Sequence, residues 1–80
     1  MNEAGYRLLR SGRTNAAVAV FRVNTSLFPR SGNTYDSLGE ALERADRRDE
    51  AIVAYRRALE LNPNLFSSRD ALRRLGAPVP

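Results

Sequence analysis

From Asn33 onward, apolar residues fall at Tyr35, Leu38, Ala41, Leu42 and Ala45. Spacings of three and four place them on one stripe of an α-helix. Asn33 stands where such a helix is capped, and Asp36 lies near its positive end. The stripe breaks at Asp46-Arg47-Arg48, and a second follows through Ile52, Tyr55, Ala58, Leu59 and Leu61. Pro63 stops it, because the ring lacks an N–H and collides with the preceding turn. The same succession occurs earlier, as Glu3 to Ser11, a turn at Gly12, then Thr14 to Phe28 and Pro29. A last segment starts at Ser67, with Asp70 suited to its first turns, and closes on Gly76 and Pro78. The pattern predicts five helices over 3–11, 14–28, 33–45, 48–61 and 67–75, with no strand.

Displacing the chain by 34 residues brings Gly5 onto Gly39, Leu8 onto Leu42, Arg10 onto Arg44 and Arg13 onto Arg47. The same shift brings Ala17 onto Ala51, Arg22 onto Arg56, Leu27 onto Leu61 and Pro29 onto Pro63. Phe21 meets Tyr55, and Val18 meets Ile52. Small residues thus meet small ones, an aromatic meets an aromatic, and the prolines coincide, which is the signature of a repeat. Glycine inside a helix costs roughly 0.5–1 kcal/mol relative to alanine. Two glycines at one repeat offset therefore imply a packing role: Gly5 and Gly39 let a neighbouring helix approach, as do Ala17, Ala51 and Ala58. Phe21 and Tyr55 are the large side chains that fill the remaining space. Asn24 occupies an apolar stripe and is expected to be a buried amide bonded to the neighbouring loop. That placement discounts Asn24-Thr25-Ser26 as a glycosylation sequon.

These residues resemble the tetratricopeptide repeat family. Its 34-residue pattern is carried by Tyr35, Leu38-Gly39, Ala51, Tyr55, Ala58 and Pro63, and less completely by Gly5, Ala17, Phe21 and Pro29. The first unit departs from the pattern at Ala4 and Asn24, and Leu42 stands where an aromatic is usual. The resemblance implies an all-α fold of antiparallel helix-turn-helix repeats in a superhelix. It divides one domain over 1–80 into a shortened first repeat at 1–31, a second at 32–65, a capping helix at 66–76 and a tail at 77–80. A narrower likeness runs from Phe21 to Ala41, through Phe28-Pro29 and Tyr35-Asp36-Ser37-Leu38-Gly39-Glu40-Ala41. It is similar to a C-terminal segment of some bacterial serine hydrolases of the beta-lactamase-like class. The hydrolase nucleophile does not come with it: without Lys there is no Ser-x-x-Lys, and there is no Gly-x-Ser-x-Gly.

The resemblance also implies function: a non-catalytic module for protein–protein binding or assembly. The alternative is an accessory segment packed on the catalytic domain of a larger enzyme. In the family, the first helix of each unit lines a concave groove. By helical phase, that groove is expected to display Tyr6, Leu9 and Arg10 from the first unit. Asn33, Asp36, Ser37, Glu40, Glu43 and Arg44 follow from the second, and Asp70 and Arg74 from the last helix. Some relatives grip a peptide's terminal carboxylate there with Lys, Arg and Asn. Here Asp36 and Glu40 stand at the corresponding places and would repel it. Read as an acid/base or metal cluster, Asp36, Glu40 and Glu43 meet an objection. Arg44 follows Glu40 at the favourable four-residue spacing, so a solvated ion-pair face is the simpler account. The expected partner is a protein or peptide, with no metal and no cofactor.

Composition narrows the picture further. There is no Cys and no His, so thiolate chemistry and the commonest general base and metal ligand are missing. All 13 basic residues are Arg, but they alternate with nine acidic ones, and the net charge of +4 is not gathered into a block. An Arg-favouring coding composition accounts for them better than a phosphate-binding surface does. No alternation of aromatic and basic residues offers single-stranded nucleic acid a stacking platform, so nucleic acid is not expected. The longest apolar run, Ala16 to Phe21, is far below the ~20 residues of a membrane span. No signal peptide follows Met1-Asn2-Glu3, and a cytoplasmic location is favoured for the chain as given. Repeats bury their apolar faces only against neighbours, and about three are usually needed for independent stability. Tyr6, Leu8, Leu9 and Val20 stand at an end with no preceding unit, so a homo-oligomer through the N-terminal end is expected.

Overall fold

The repeat is carried by its turns. The computed structural model describes residues 3–80 and contains five α-helices. They are α1 (Glu3–Arg10), α2 (Thr14–Leu27), α3 (Gly32–Arg44), α4 (Arg48–Leu61) and α5 (Phe66–Arg74). No strand occurs among the described residues. The opening of the first unit at Met1 and Asn2 lies outside them. α1, α3 and α5 each end on a residue in the left-handed conformation: Gly12 (φ 82°), Asp46 (φ 60°) and Gly76 (φ 72°). At each end this residue's N–H returns to the carbonyl three positions back, and the next N–H to the carbonyl five back. The distances are 3.1 and 2.8 Å after α1, 3.1 and 2.9 Å after α3, and 3.0 and 2.9 Å after α5. Glycine adopts this conformation freely, and Asp is one of the few other residues that reach it. α2 and α4 therefore start and stop at the same repeat positions.

Two start signals differ from the sequence expectation. Asn33 does not cap α3; Ser31 does, its Oγ accepting from the Thr34 N–H at 3.4 Å. The helix opens one residue early because Gly32 fits a narrow gap. A Cβ there would lie 2.9 Å from both the Ala58 carbonyl oxygen and Leu65 Cδ1. Asn33 is left exposed in the first turn. α5 likewise opens at Phe66, in register with Gly32, and no side chain caps it. Ser67 and Asp70 do not serve its N-terminus: the Ser67 hydroxyl turns to Asp36 instead. α5 runs nine residues where α3 runs 13, because Gly76 stands at the repeat position of Leu42.

The core lies between the two helices of each unit and continues through the stack. Phe21 and Tyr55 sit at its centre, with Ala17, Leu42, Ala51, Ala58 and Leu72 around them. Gly5 lies under the Phe21 ring, whose Cε1 would be 2.6 Å from an added Cβ. Gly39 lies under the Tyr55 ring in the same way, at 2.8 Å from Cε1. Glycine and aromatic therefore form one lock per unit, at one repeat offset. Each fully buried large side chain contributes about 1.5–3 kcal/mol relative to leaving it in water. Tyr6 meets Phe21 edge to face, with centroids 5.2 Å apart. Asn24 is buried, as its place in the stripe predicts, and Ala77 and Val79 of the tail pack on the core. Leu9 is buried as well, which corrects both expectations placed on it: it neither faces the groove nor lies uncovered at the N-terminal end. Among the described residues, no helix is long and apolar enough to cross a membrane.

Candidate functional site

On one side of the stack α1, α3 and α5 lie next to one another, and their polar residues interlock. The Tyr6 hydroxyl is 2.8 Å from Ser37 Oγ and donates to Glu40 Oε1 at 3.3 Å, joining α1 to α3. Arg44 pairs with Glu40 at 3.3 Å, one helical turn away. From α5, Ser68 Oγ donates to Asp36 Oδ1 at 2.6 Å, and Ser67 Oγ to Asp36 Oδ2 at 3.1 Å. Arg74 of α5 forks onto the Glu43 carboxylate. Tyr55 reaches the same carboxylate from α4, donating to Oε1 at 2.9 Å. These contacts enclose a concavity of about 260 Å³ whose lining includes Asp36, Glu40, Glu43, Tyr55, Ala71 and Arg74.

The electrostatics follow from burial and from the carboxylates. Tyr6 titrates above the usual phenol value, chiefly because it is partly buried and secondarily because Glu40 and Asp36 oppose its anion. Tyr55 is pushed much further up, by burial first and by donation to Glu43 second. Both phenols are therefore hydrogen-bond donors throughout the physiological range. The Arg74 guanidinium is held more firmly protonated by its bond to Glu43. Three carboxylates face two guanidinium groups, which leaves the concave surface net negative. The ion pair of Glu40 with Arg44 is the one its spacing predicts. Glu43 and Asp36 are more than a solvated face, because they hold α4 and α5 through Tyr55, Arg74, Ser67 and Ser68. Among the described residues, no group of three acidic, His or Cys side chains is arranged to hold a metal ion.

Of the residues expected to line the groove, Tyr6, Asp36, Ser37, Glu40, Glu43, Arg44 and Arg74 come together here. Arg10 is exposed at the end of α1, and Asn33 is exposed at the start of α3. Asp70 is exposed on α5, 4.0 Å from Arg73, and does not line the concavity. Sequence reasoning missed Tyr55, Ser67, Ser68 and Ala71. Tyr55 carries a hydroxyl where its repeat mate Phe21 has none, and that difference was the legible signal. Ser67 and Ser68 read as cap residues, and nothing local in the chain marks their partner 31 and 32 residues away.

No curated protein and no solved structure matches the chain. The tetratricopeptide repeat family matches residues 32–65, the span from Gly32 at the head of α3 through α4 to Leu65 before α5. With five helices, no strand among the described residues and a second helix pair at the same offset, that match supports the tetratricopeptide repeat family for this chain.

Proposed function

We propose that this chain binds other proteins, and that its concave face takes an extended peptide segment with a cationic side chain over Glu40. Repeats of this family generally mediate protein–protein contacts and are typically non-catalytic. The observation that carries the finer reading is the charge of the concavity. Asp36, Glu40 and Glu43 line it, and among the described residues Glu40 is bound by exposed Arg44 and by Tyr6. A partner's guanidinium can displace Arg44 at little cost, since an exposed helical ion pair is worth about 0.3–0.5 kcal/mol. A terminal carboxylate would meet the same three acids and be repelled. Selection from a random displayed-peptide library tests the reading. Enrichment of Arg- or Lys-bearing sequences, lost with Glu40→Arg, is expected. Enrichment of acidic sequences, or selection unchanged by Glu40→Arg, overturns it.

Three narrower readings belong to the same proposal. The chain carries no catalytic centre of its own and serves assembly. It associates with itself through the N-terminal end of the stack. Its arginines do not take nucleic acid, since Arg22, Arg44, Arg47, Arg57 and Arg74 are all engaged with carboxylates. The hydrolase-appendage reading has no contact or comparison in its favour.

A further inference from the structure

We propose that residues 76–80 form a strap that latches α5 onto α4, in the place where the second helix of a further unit would run. α1 and α3 each hand over to a second helix two residues after their left-handed turn: Gly12 leads to Thr14, and Asp46 to Arg48. Gly76 makes the same turn after α5, so Pro78 stands where a third such helix would open. No helix opens there, because Pro80 keeps Val79 out of the helical region. The chain instead turns back beside α5 and continues without regular structure.

The strap is nevertheless docked. Ala77 and Val79 are half-buried against the core, whereas Gly76, Pro78 and Pro80 are exposed, the alternation of an extended segment. Gly76, Ala77 and Pro78 border α4 at Arg48, Ile52 and Arg56, and Pro80 borders it at Leu59. The tail thus follows α4 from its first turn to its last. The Ala77 N–H donates to the Leu72 carbonyl at 2.9 Å, and the Arg48 guanidinium donates to the Leu75 carbonyl. With prolines at 78 and 80, the Val79 N–H is the one backbone donor from Pro78 to Pro80. Such a segment covers an apolar surface with little desolvation of its backbone.

α5 depends on such a latch. It has nine residues, no side chain caps its start, and it packs chiefly on α4. A helix of that length does not hold itself in water. On the concave side, Ser67 and Ser68 tie it to Asp36, and Arg74 ties it to Glu43. The strap and Arg48 secure its C-terminal end to α4. Ser67, Ala71 and Arg74 form one wall of the concavity, so the strap governs whether that wall stands.

Hydrogen exchange of the full chain, read amide by amide, tests the latch. Val79→Asp puts a charge into the half-buried contact, and the amides of Asp70 to Leu75 should exchange roughly tenfold faster. Those of Leu42 in α3 and Tyr55 in α4 should keep their parent rates. Arg48→Gln should speed the α5 amides about threefold, and Val79→Ile should leave them slow. The same charge placed on α2, as Val23→Asp at an exposed position, should not change α5. Unchanged α5 rates in Val79→Asp overturn the proposal. Equal acceleration in every helix, or loss of the fold, also overturns it, because the tail would then be part of the common core. No peptide enters the measurement, so its outcome is independent of peptide binding.

Discussion

A single methyl group at Gly39 tests the packing at its tightest point. The Cβ of Gly39→Ala would lie 2.8, 2.9 and 3.0 Å from Cε1, Cδ1 and Cζ of Tyr55. Carbon atoms in contact sit at about 3.5–4.0 Å, so the ring or the helix must give by roughly 0.7 Å. The ring has little room to do so. Tyr55 is buried on all sides, and its hydroxyl is tied to Glu43 at 2.9 Å. Overpacking of this kind costs about 1–3 kcal/mol. Replacing glycine by alanine in a helix returns about 0.5–1 kcal/mol. The net expectation is a loss of roughly 0.5–2 kcal/mol, and at this chain length each kcal/mol moves Tm by about 4–8 °C. Far-UV circular dichroism melts should therefore show Gly39→Ala melting several degrees below the parent, and Gly39→Leu lower still. In a double-mutant cycle, Tyr55→Leu should absorb the penalty, leaving Gly39→Ala neutral or stabilising in that background. The reasoning fails if Gly39→Ala melts higher than the parent, or if its effect is the same with and without the Tyr55 ring.

Three further outcomes follow from particular residues. Asp46 holds a left-handed conformation that Gly12 and Gly76 adopt at the same turn, so Asp46→Gly should raise the urea midpoint, by about 0.5–1 kcal/mol of stability. Tyr6 and Tyr55 both have folded-state pKa values raised above the ordinary value of 10.0. Their contribution is thus fully present below about pH 10 and is lost as pH climbs toward the folded values. Tyrosinate absorbance of the folded chain should lag behind that of the unfolded chain, with cooperative unfolding in alkali; two tyrosines ionising normally in the folded state would contradict this. Fluorescence anisotropy with duplex DNA should show binding that vanishes at ordinary salt, and sub-micromolar affinity there would show that the arginines form a phosphate-binding surface.

Much of this architecture is legible in the chain because repeats restate their constraints. The offset that pairs Gly5 with Gly39 and Phe21 with Tyr55 locates the locks between helices without reference to tertiary structure. Spacings of three and four locate the helices themselves to within a residue or two. What stays illegible depends on residues distant in sequence. Asn33 and Ser31 are equally good caps by type, and Ser31 takes the role because Gly32 must enter a gap bounded by Ala58 and Leu65. Leu9 matches a groove position by phase, at the repeat place of Glu43, but as an apolar side chain it joins the buried core. The acids of the groove were evident, whereas their partners were not. Ser68 and Tyr55 look like a cap residue and a core residue until α5 and α4 bring them to Asp36 and Glu43.

The central claim is that the concave face of α1, α3 and α5 reads a cationic peptide. Its most direct test is amide chemical-shift mapping of the labelled chain during titration with an Arg-bearing peptide from the library selection. Shifts should concentrate on Tyr6, Ser37, Glu40, Arg44 and Arg74, saturate with increasing peptide, and disappear with Glu40→Arg. Shifts confined to the outer surfaces of α2 and α4, or unaffected by Glu40→Arg, would contradict the account.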